Sequence, residues 1–138
     1  MKPIYFFLML LFASISYAQN QEISINWEKT YGGTQDERPV SIIKTLDGGF
    51  AFAGYTESNN GDIQSDSAKY HDFWVVKFDK DGQIEWKKTY GGSFYDYAYS
   101  IIQLEDHSFL IGGKTGSNDG DIKNNQGQFD FCLIKIDS

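Results

Sequence analysis

Short apolar runs separated by polar, glycine-rich turns make up most of the chain. Val40–Leu46 is followed by Asp47–Gly49, which is typical of a tight hairpin in which glycine supplies a positive φ. Phe50–Thr56 is the predicted return strand, and Phe73–Phe78, rich in aromatic and β-branched residues, predicts a third. Gln83–Tyr90 predicts a fourth. No segment has a helical apolar period of adequate length, so the pattern predicts an all-β fold.

The whole pattern occurs twice. The heptapeptide W-E-K-T-Y-G-G at Trp27–Gly33 returns as W-K-K-T-Y-G-G at Trp86–Gly92, an interval of 86 − 27 = 59 residues. Gly61–Ile63 returns as Gly120–Ile122 at the same interval, which shortens to 58 residues for the last strand. Self-similarity at such a period indicates a repeat architecture.

Four antiparallel strands in each repeat of about 60 residues, apolar on both faces of the middle strands, are typical of a propeller blade. A blade packs against a neighbour on each side, so both sets of alternating residues can be buried. The sequence therefore predicts two four-stranded antiparallel propeller-like blades, with repeat 1 at about residues 25–82 and repeat 2 at about residues 84–138. Residues 23–31 match a fourth strand that no first three strands precede, and we expect them to complete a blade.

Two blades cannot close a ring, because propellers have ~4–8. A lone pair would also leave broad apolar sheet faces in water. Two interpretations stay open. One is a cyclic homo-oligomer, for example three chains forming six blades, in which each chain lends residues 23–31 to its neighbour. The other is that this chain is a fragment of a longer surface or adhesion protein.

Several motifs together resemble the tandem propeller-type repeats of secreted bacterial proteins. They are W-x-K-T-Y-G-G, D-G-G-F, G-x-T-x-S-N-x-G-D-I and D-F-W-V-V-K-F-D, and the resemblance covers Ile25–Asp137. The second copy departs at His107-Ser108, where the glycine pair is missing, and at Cys132, which replaces Trp74. The resemblance implies extracellular display or binding, and it supplies no catalytic residues.

The amino terminus has the pattern of a secretory signal peptide. Lys2 precedes the apolar run Ile4–Ile15, and Ser16-Tyr17-Ala18 offers small residues at the two positions that a signal peptidase reads. The apolar run is shorter than the ~20 residues needed to span a bilayer. We therefore predict a signal peptide at residues 1–18, a domain at residues 19–138 with no membrane span, and a location at the bacterial surface or outside the cell.

The net charge makes one class of partner unfavourable, and the cysteine content excludes an intramolecular disulfide. The 138 residues include 12 basic and 19 acidic side chains, a net charge of −7, which argues against nucleic acid as a partner. The single cysteine, Cys132, allows no intramolecular disulfide and is interpreted as a small core residue.

Oxygen-bearing side chains recur in both copies on the long loop between the second and third strands. Calcium is bound by roughly 6–8 oxygens, commonly in a glycine-turned loop, so these side chains form a candidate calcium site. The competing interpretation is that Asn, Asp and Gly serve the turn itself, since the full calcium-loop spacing is absent. The candidate ligands are Asn59, Asp62, Asn118, Asp119 and Asp121.

Aromatic residues crowd the fourth strand and the link to the second repeat. Trp27 and Trp86, repeated in register, are predicted to fill the wedge between blades. Phe94, Tyr95 and Tyr97 lie in the link and have no aromatic match in the first copy, which makes them the candidate ligand-binding residues. Their faces could stack on sugar rings, so a lectin-like function is an alternative to binding an unidentified protein.

Catalysis is not predicted. Asp36, Glu37 and Asp96 are the acidic residues that could meet where two blades adjoin, but general acid–base work needs such groups held together in a cleft. The sequence contains no G-x-S-x-G, no H-E-x-x-H and no phosphate-cradling loop. The predicted function is therefore a secreted, non-catalytic binding or interaction module without an obligatory cofactor.

Overall fold

The computed structural model describes residues 22–63 and 70–137, and within these ranges it contains seven β-strands and no helix. The all-β prediction is therefore confirmed. The predicted signal peptide, residues 1–18, lies outside the described residues. The strands are β1 (Glu37–Lys44), β2 (Phe50–Thr56), β3 (Asp72–Phe78), β4 (Ile84–Tyr90), β5 (Asp96–Gln103), β6 (Phe109–Thr115) and β7 (Asp130–Ile136).

The strands form two antiparallel sheets that do not close on each other. The first sheet has the order β1-β2-β3-β4, and the second, within the described residues, has the order β5-β6-β7. The prediction of four strands in each sheet is thus met in the first sheet only. Over the part of the chain that the structure describes, no helix is long and apolar enough to cross a membrane.

The tight hairpins are equivalent in the two sheets despite the different turn sequences. Gly48 has a φ of 89°, and His107, the residue at the same position in the second repeat, adopts a φ of 67°. The closing bonds also match: the amide of Thr45 donates to Gly49 O at 2.9 Å, and that of Leu104 to Ser108 O at 2.8 Å. The missing glycine pair therefore does not remove the second hairpin.

The first strand of each sheet carries a β-bulge at the same place. The register shifts between Pro39 and Ser41 in β1 and between Ala98 and Ser100 in β5. Opposite each bulge the backbones approach so closely that a Cβ at Gly113 would overlap the carbonyl oxygen of Tyr97. Glycine is required there because only hydrogen fits.

One face of the first sheet packs on one face of the second. Trp86 meets Phe109 edge-on across this contact, with ring centroids 5.5 Å apart. Cys132, partly buried, packs against the same cluster, and burial, with a contribution from Asp96, raises the pKa of its thiol. The buried members are Ala51, Ala53, Phe73 and Val75 from the first sheet, and Ala98, Ile101, Phe109, Ile111 and Ile136 from the second.

The opposite face of the first sheet has its own apolar cluster. Phe52, Trp74 and Phe78 are buried there, with Phe52 edge-on to Trp74 at 4.8 Å between ring centroids. A groove of about 640 Å³ runs along this face, and Trp27 and Ile42 are among its lining residues. No third sheet covers this face in the described part of the chain.

Residues 23–31, which the sequence predicts as a strand, are not a strand in this structure. They lie beside the β3–β4 turn, where the Lys29 ammonium donates to the Asp81 carbonyl at 2.8 Å and the Tyr31 hydroxyl donates to that of Gly82. The Tyr31 ring packs on Phe78, with centroids 4.8 Å apart. In the described residues this segment pairs with no strand of either sheet.

Candidate functional site

The Tyr-Gly-Gly link that precedes each sheet is held by side chains of the same repeat. In the first repeat, the amide of Gly33 donates to Glu37 Oε2 at 3.0 Å and the amide of Thr34 to Asn60 Oδ1 at 3.0 Å. The amide of Gly32 donates to Asp62 Oδ2 at 3.2 Å. The long loop and the link are therefore one hydrogen-bonded unit.

The second repeat reproduces this bonding with partly different residues. The amide of Gly92 donates to Asp96 Oδ2 at 3.1 Å, and that of Ser93 to Asp119 Oδ1 at 2.7 Å. The amide of Gly91 donates to Asp121 Oδ2 at 3.3 Å. Because equivalent positions make equivalent bonds, the sequence repeat is a structural repeat down to its loops.

Asp96 is the most deeply buried acid of this unit. Its side chain is fully buried and accepts hydrogen bonds from the Thr115 hydroxyl and, at 2.7 Å, from the Ser117 hydroxyl. Together with the Gly92 amide, these donors replace water around the carboxylate, as a buried charge requires.

The candidate calcium ligands are placed within these loops. Asp62, Asp119 and Asp121 each accept a backbone N–H, and Asn118 Oδ1 accepts the amide of Asn125 at 3.1 Å. Asn59 is exposed. Among the described residues there is no group of three or more His, Cys, Asp or Glu side chains that could hold a metal ion. The geometry favours the turn interpretation, and the calcium site stays a prediction.

The three candidate ligand-binding residues lie together. The rings of Phe94 and Tyr95 meet edge-on at 5.2 Å, and those of Tyr95 and Tyr97 are nearly parallel at 6.1 Å. Tyr99 continues the series, stacked on Tyr97 at 6.4 Å with an interplanar angle of 9°. Rings at alternate positions point to one side of an extended chain, which explains the row.

Further aromatic side chains join this row from other segments. Tyr55 of the first sheet meets Tyr97 of the second edge-on at 4.8 Å, so the rings bridge the sheets. The Lys114 ammonium lies 4.7 Å from the ring centroid of Tyr97 and 4.6 Å from that of Phe129, within cation–π range. We call the following set the aromatic patch: Tyr55, Tyr70, His71, Phe94, Tyr95, Tyr97, Tyr99 and Phe129.

Six contributors to this site were not among the binding residues predicted from the sequence: Tyr55, Tyr70, His71, Tyr99, Phe129 and Lys114. A signal was present in the repeat alignment, because Tyr55 aligns with Lys114 and His71 with Phe129 at the intervals of 59 and 58 residues. The first pair lies one residue before the end of the second strand of each repeat, and the second pair directly precedes the third strand, so they mark where the long loop starts and finishes. Unlike the alignment, the structure shows that the two repeats supply one shared surface.

His71 lies within the patch and is mostly buried. Its Nε2 is 2.6 Å from Glu57 Oε1, while its Nδ1 is buried without a hydrogen-bond partner among the described residues. Burial lowers the pKa of His71, Glu57 opposes this shift, and Arg38 adds to it, so that the pKa lies below the usual value. The imidazole is therefore neutral at pH 7.

The patch is only partly covered. Phe94, Tyr99 and Phe129 are exposed, whereas Tyr55, Tyr95 and Tyr97 are half-buried. Exposed ring faces beside a cation can take up a ligand that has both apolar faces and polar groups, as many binding sites do.

The acidic residues weighed for catalysis have structural partners instead. Glu37 accepts the Gly33 amide and, at 3.1 Å, the Thr56 hydroxyl, while Asp96 is enclosed by its three donors. Asp36 is exposed, and Arg38 lies 3.8 Å from it. This arrangement offers the acids a role in holding the loops.

Comparison with known proteins gives no family. No known protein-family profile matches this chain, and no curated protein sequence shows detectable similarity to it. The resemblance to propeller-type repeats therefore stays a prediction.

Proposed function

We propose that this protein is a secreted, non-catalytic binding module built from propeller-type blades, and that it binds its ligand through the aromatic patch. The observation that carries the proposal is the row Tyr95, Tyr97 and Tyr99, joined by rings from both sheets and by Lys114. A cluster of this size at the loop edge, with exposed members, is more than the packing of two sheets needs.

A glycan is the ligand class that the patch fits best. Sugar rings have flat apolar faces that pack on aromatic rings, and their hydroxyl groups need polar partners beside those rings. Phe94, Tyr99 and Phe129 offer exposed faces, and the Lys114 ammonium and the tyrosine hydroxyls offer donors. The acidic chain, with its net charge of −7, favours a neutral or basic sugar over an anionic one.

The other parts of the proposal have separate support. The run from Lys2 to Ala18 supports secretion, and the bonding of Glu37 and Asp96 within the loops supports a non-catalytic role. A sheet whose two faces are both apolar, as in β2 and β3, supports the blade interpretation.

The test is a glycan array on the purified protein, followed by calorimetric titration with any sugar that binds. Loss of one stacking contact is worth roughly 0.5–1.5 kcal/mol, so Tyr99→Ala and Phe94→Ala should each weaken binding about 2–10-fold. Leu46→Ala is the matched control, because Leu46 is an exposed apolar residue on the opposite, tight-turn edge. An array without a bound sugar would contradict the glycan ligand, and binding unchanged in both variants would exclude the patch.

A further inference from the structure

The two outer sheet faces of this chain are repeats of the two faces that already pack against each other inside it. In the internal contact, the first sheet presents Phe73 and Val75, and the second presents Phe109 and Ile111. The interval of 58 residues carries Phe73 and Val75 onto Phe131 and Leu133 of the second sheet.

Those equivalent residues are uncovered. Phe131 is 74% exposed and Leu133 is 56% exposed, and Ile102, the equivalent of Ile43, is exposed beside them. Three large exposed apolar side chains on one sheet face form the kind of surface that soluble proteins normally cover.

The complementary face is also open. Phe109, Ile111 and Ile101 correspond to Phe50, Phe52 and Ile42 of the first sheet. These three residues line the groove of about 640 Å³, and Ile42 is 69% exposed. The internal contact shows that two faces of these kinds fit together. The chain has one uncovered face of each kind, namely the outer face of the second sheet and the groove face of the first.

The amino-terminal segment lies where this interface needs it. In the internal contact, Trp86 of β4 packs on Phe109 of the next sheet. Trp27, the equivalent of Trp86, lines the same groove as Phe50, the equivalent of Phe109. Tyr31 packs on Phe78. Their equivalents in the second repeat, Tyr90 and Ile136, belong to one apolar cluster. Residues 25–31 thus pack against the outer face of the first sheet in the same way that β4 packs against the facing side of the second sheet.

We propose that a second copy of this chain docks head-to-tail, with the outer face of its second sheet in the groove of the first copy. In this arrangement β7 of the second copy gains residues 25–31 of the first copy as its fourth strand. The register follows from β3 and β4: Val75 lies opposite Lys88, so Leu133 of one copy lies opposite Lys29 of the next. This inference rests on the blade part of the proposed function and not on the ligand.

The ion pairs of the two sheets agree with this assignment. Lys77 contacts Asp47 at 2.8 Å and Glu85 of β4 at 2.6 Å. Lys135, its equivalent, contacts Asp106 at 2.8 Å, and in the described residues no β4-like strand lies beside it. A docked segment would cover this position, just as β4 covers Lys77.

The decisive experiment uses two variants that each destroy one half of the interface. Phe131→Glu places a charge on the outer face of the second sheet, and Ile42→Glu places one in the groove. Both side chains are exposed, so each variant should fold. Because every contact needs one intact half from each chain, each variant alone should be monomeric by light scattering at micromolar concentration. Burying an unpaired charge should weaken association on the order of a hundredfold.

An equimolar mixture of the two variants should form a one-to-one dimer, because the intact halves lie on different chains. No dimer in the mixture, or a monomeric wild-type protein, would overturn the proposal. A dimer formed by either variant alone would point to a symmetric contact and would overturn it too. Sugar binding is measured on Ile42→Glu, whose substitution lies in the groove, because Phe131 lies directly opposite Lys114 of the binding site. Failure of the ligand proposal and failure of this one are therefore distinguishable.

Register is tested by pairing Lys29→Cys with Leu133→Cys in a Cys132→Ala background. Oxidation of the wild-type-like assembly should give disulfide-linked chains, whereas Lys29→Cys with Lys135→Cys, two residues out of register, should give several-fold less. Equal cross-linking of both pairs would overturn the register.

Discussion

Lys77 on β3 donates to Glu85 on β4 at 2.6 Å, and Lys135, the equivalent lysine on β7, makes no such contact with a fourth strand in the described residues. The Lys77 side chain is 5% exposed and that of Lys135 is 49% exposed. Burial alone would lower the pKa of Lys77, but its bonds to Asp47 and Glu85 raise it above the usual value, so the ammonium is charged at neutral pH.

We expect Lys77→Ala to lower the free energy of unfolding by about 2 kcal/mol, because it removes a buried aliphatic stem and leaves two carboxylates facing each other. Lys77→Met keeps the stem and should lose less. Lys135→Ala is the matched control, and its effect should be much smaller. Urea unfolding of the three variants measures the differences, and equal losses at both lysines would contradict this account.

Protonation of His71 should destabilise the fold. Its pKa in the folded state lies below the unfolded value of about 6.5, because burial disfavours the charge more than Glu57 favours it. The unfolded chain then binds the proton first, so stability is complete above pH 6.5 and falls as the pH drops from there toward the folded pKa.

The measurement is the melting temperature of the wild type and of His71→Gln between about pH 7.5 and pH 5.5. The variant should lose the decline over this range even if it is less stable throughout. A decline that persists unchanged in His71→Gln would mean that other groups cause it.

The turn glycine at position 48 is needed for its backbone and not for space. A Cβ at Gly48 would meet nothing within 4 Å, but the φ of 89° is unfavourable for any other residue. Gly48→Ala should therefore cost about 1 kcal/mol. Gly127→Ala, also in open space but without a positive φ, should be neutral or slightly stabilising. Equal effects of the two substitutions would contradict the backbone explanation.

At His107 the same backbone argument predicts that substitution by glycine is stabilising. This residue adopts a φ of 67°, so His107→Gly should stabilise the second hairpin by about 0.5–1 kcal/mol. Thermal unfolding of the single variant is a sufficient check. A lower melting temperature would show that the histidine side chain makes a contact that outweighs its backbone cost.

Asp96 should matter more than any other acid of the loops. Asp96→Ala leaves the Gly92 amide and the hydroxyls of Thr115 and Ser117 without their acceptor in a buried place, which should cost about 3 kcal/mol. Asp121→Ala, which removes one longer bond at an exposed position, is the control and should lose far less. A folded Asp96→Ala protein with wild-type stability to urea would contradict the network.

Much of the fold could be predicted from the sequence because each strand is short, periodic and bounded by turn residues. The duplication predicted that the two sheets are equivalent. Adjacent apolar residues such as Phe73 and Trp74, which point to opposite faces of a strand, indicated two buried faces. The conformation of residues 23–31 was harder to predict. A strand forms only where a partner strand offers an edge to pair with, and sequence similarity to β4 does not show whether such a partner is present.

The candidate site could be predicted only in part. Phe94, Tyr95 and Tyr97 adjoin one another in the chain, so their clustering was visible. Tyr55 comes from the first repeat and meets the tyrosine row only after the sheets stack, and Phe129 lies 129 − 97 = 32 residues from Tyr97 in the chain and meets it only after the second sheet forms. No local pattern records either contact. Likewise, Asp62 and Asp121 look like metal ligands in sequence because amide capping and cation binding recruit the same oxygens.

The β-bulges opposite Gly54 and Gly113 occur at the same position of both units, and so do the three hydrogen bonds that hold the amides of each Tyr-Gly-Gly link. A gene that gains one more duplicated unit would therefore gain a sheet able to repeat the contact that the two sheets of this chain already make. Its added stability would be close to one intrinsic contribution plus one nearest-neighbour contribution, as in a linear array. Growth by duplication would then be limited by chain length and not by the invention of new surfaces.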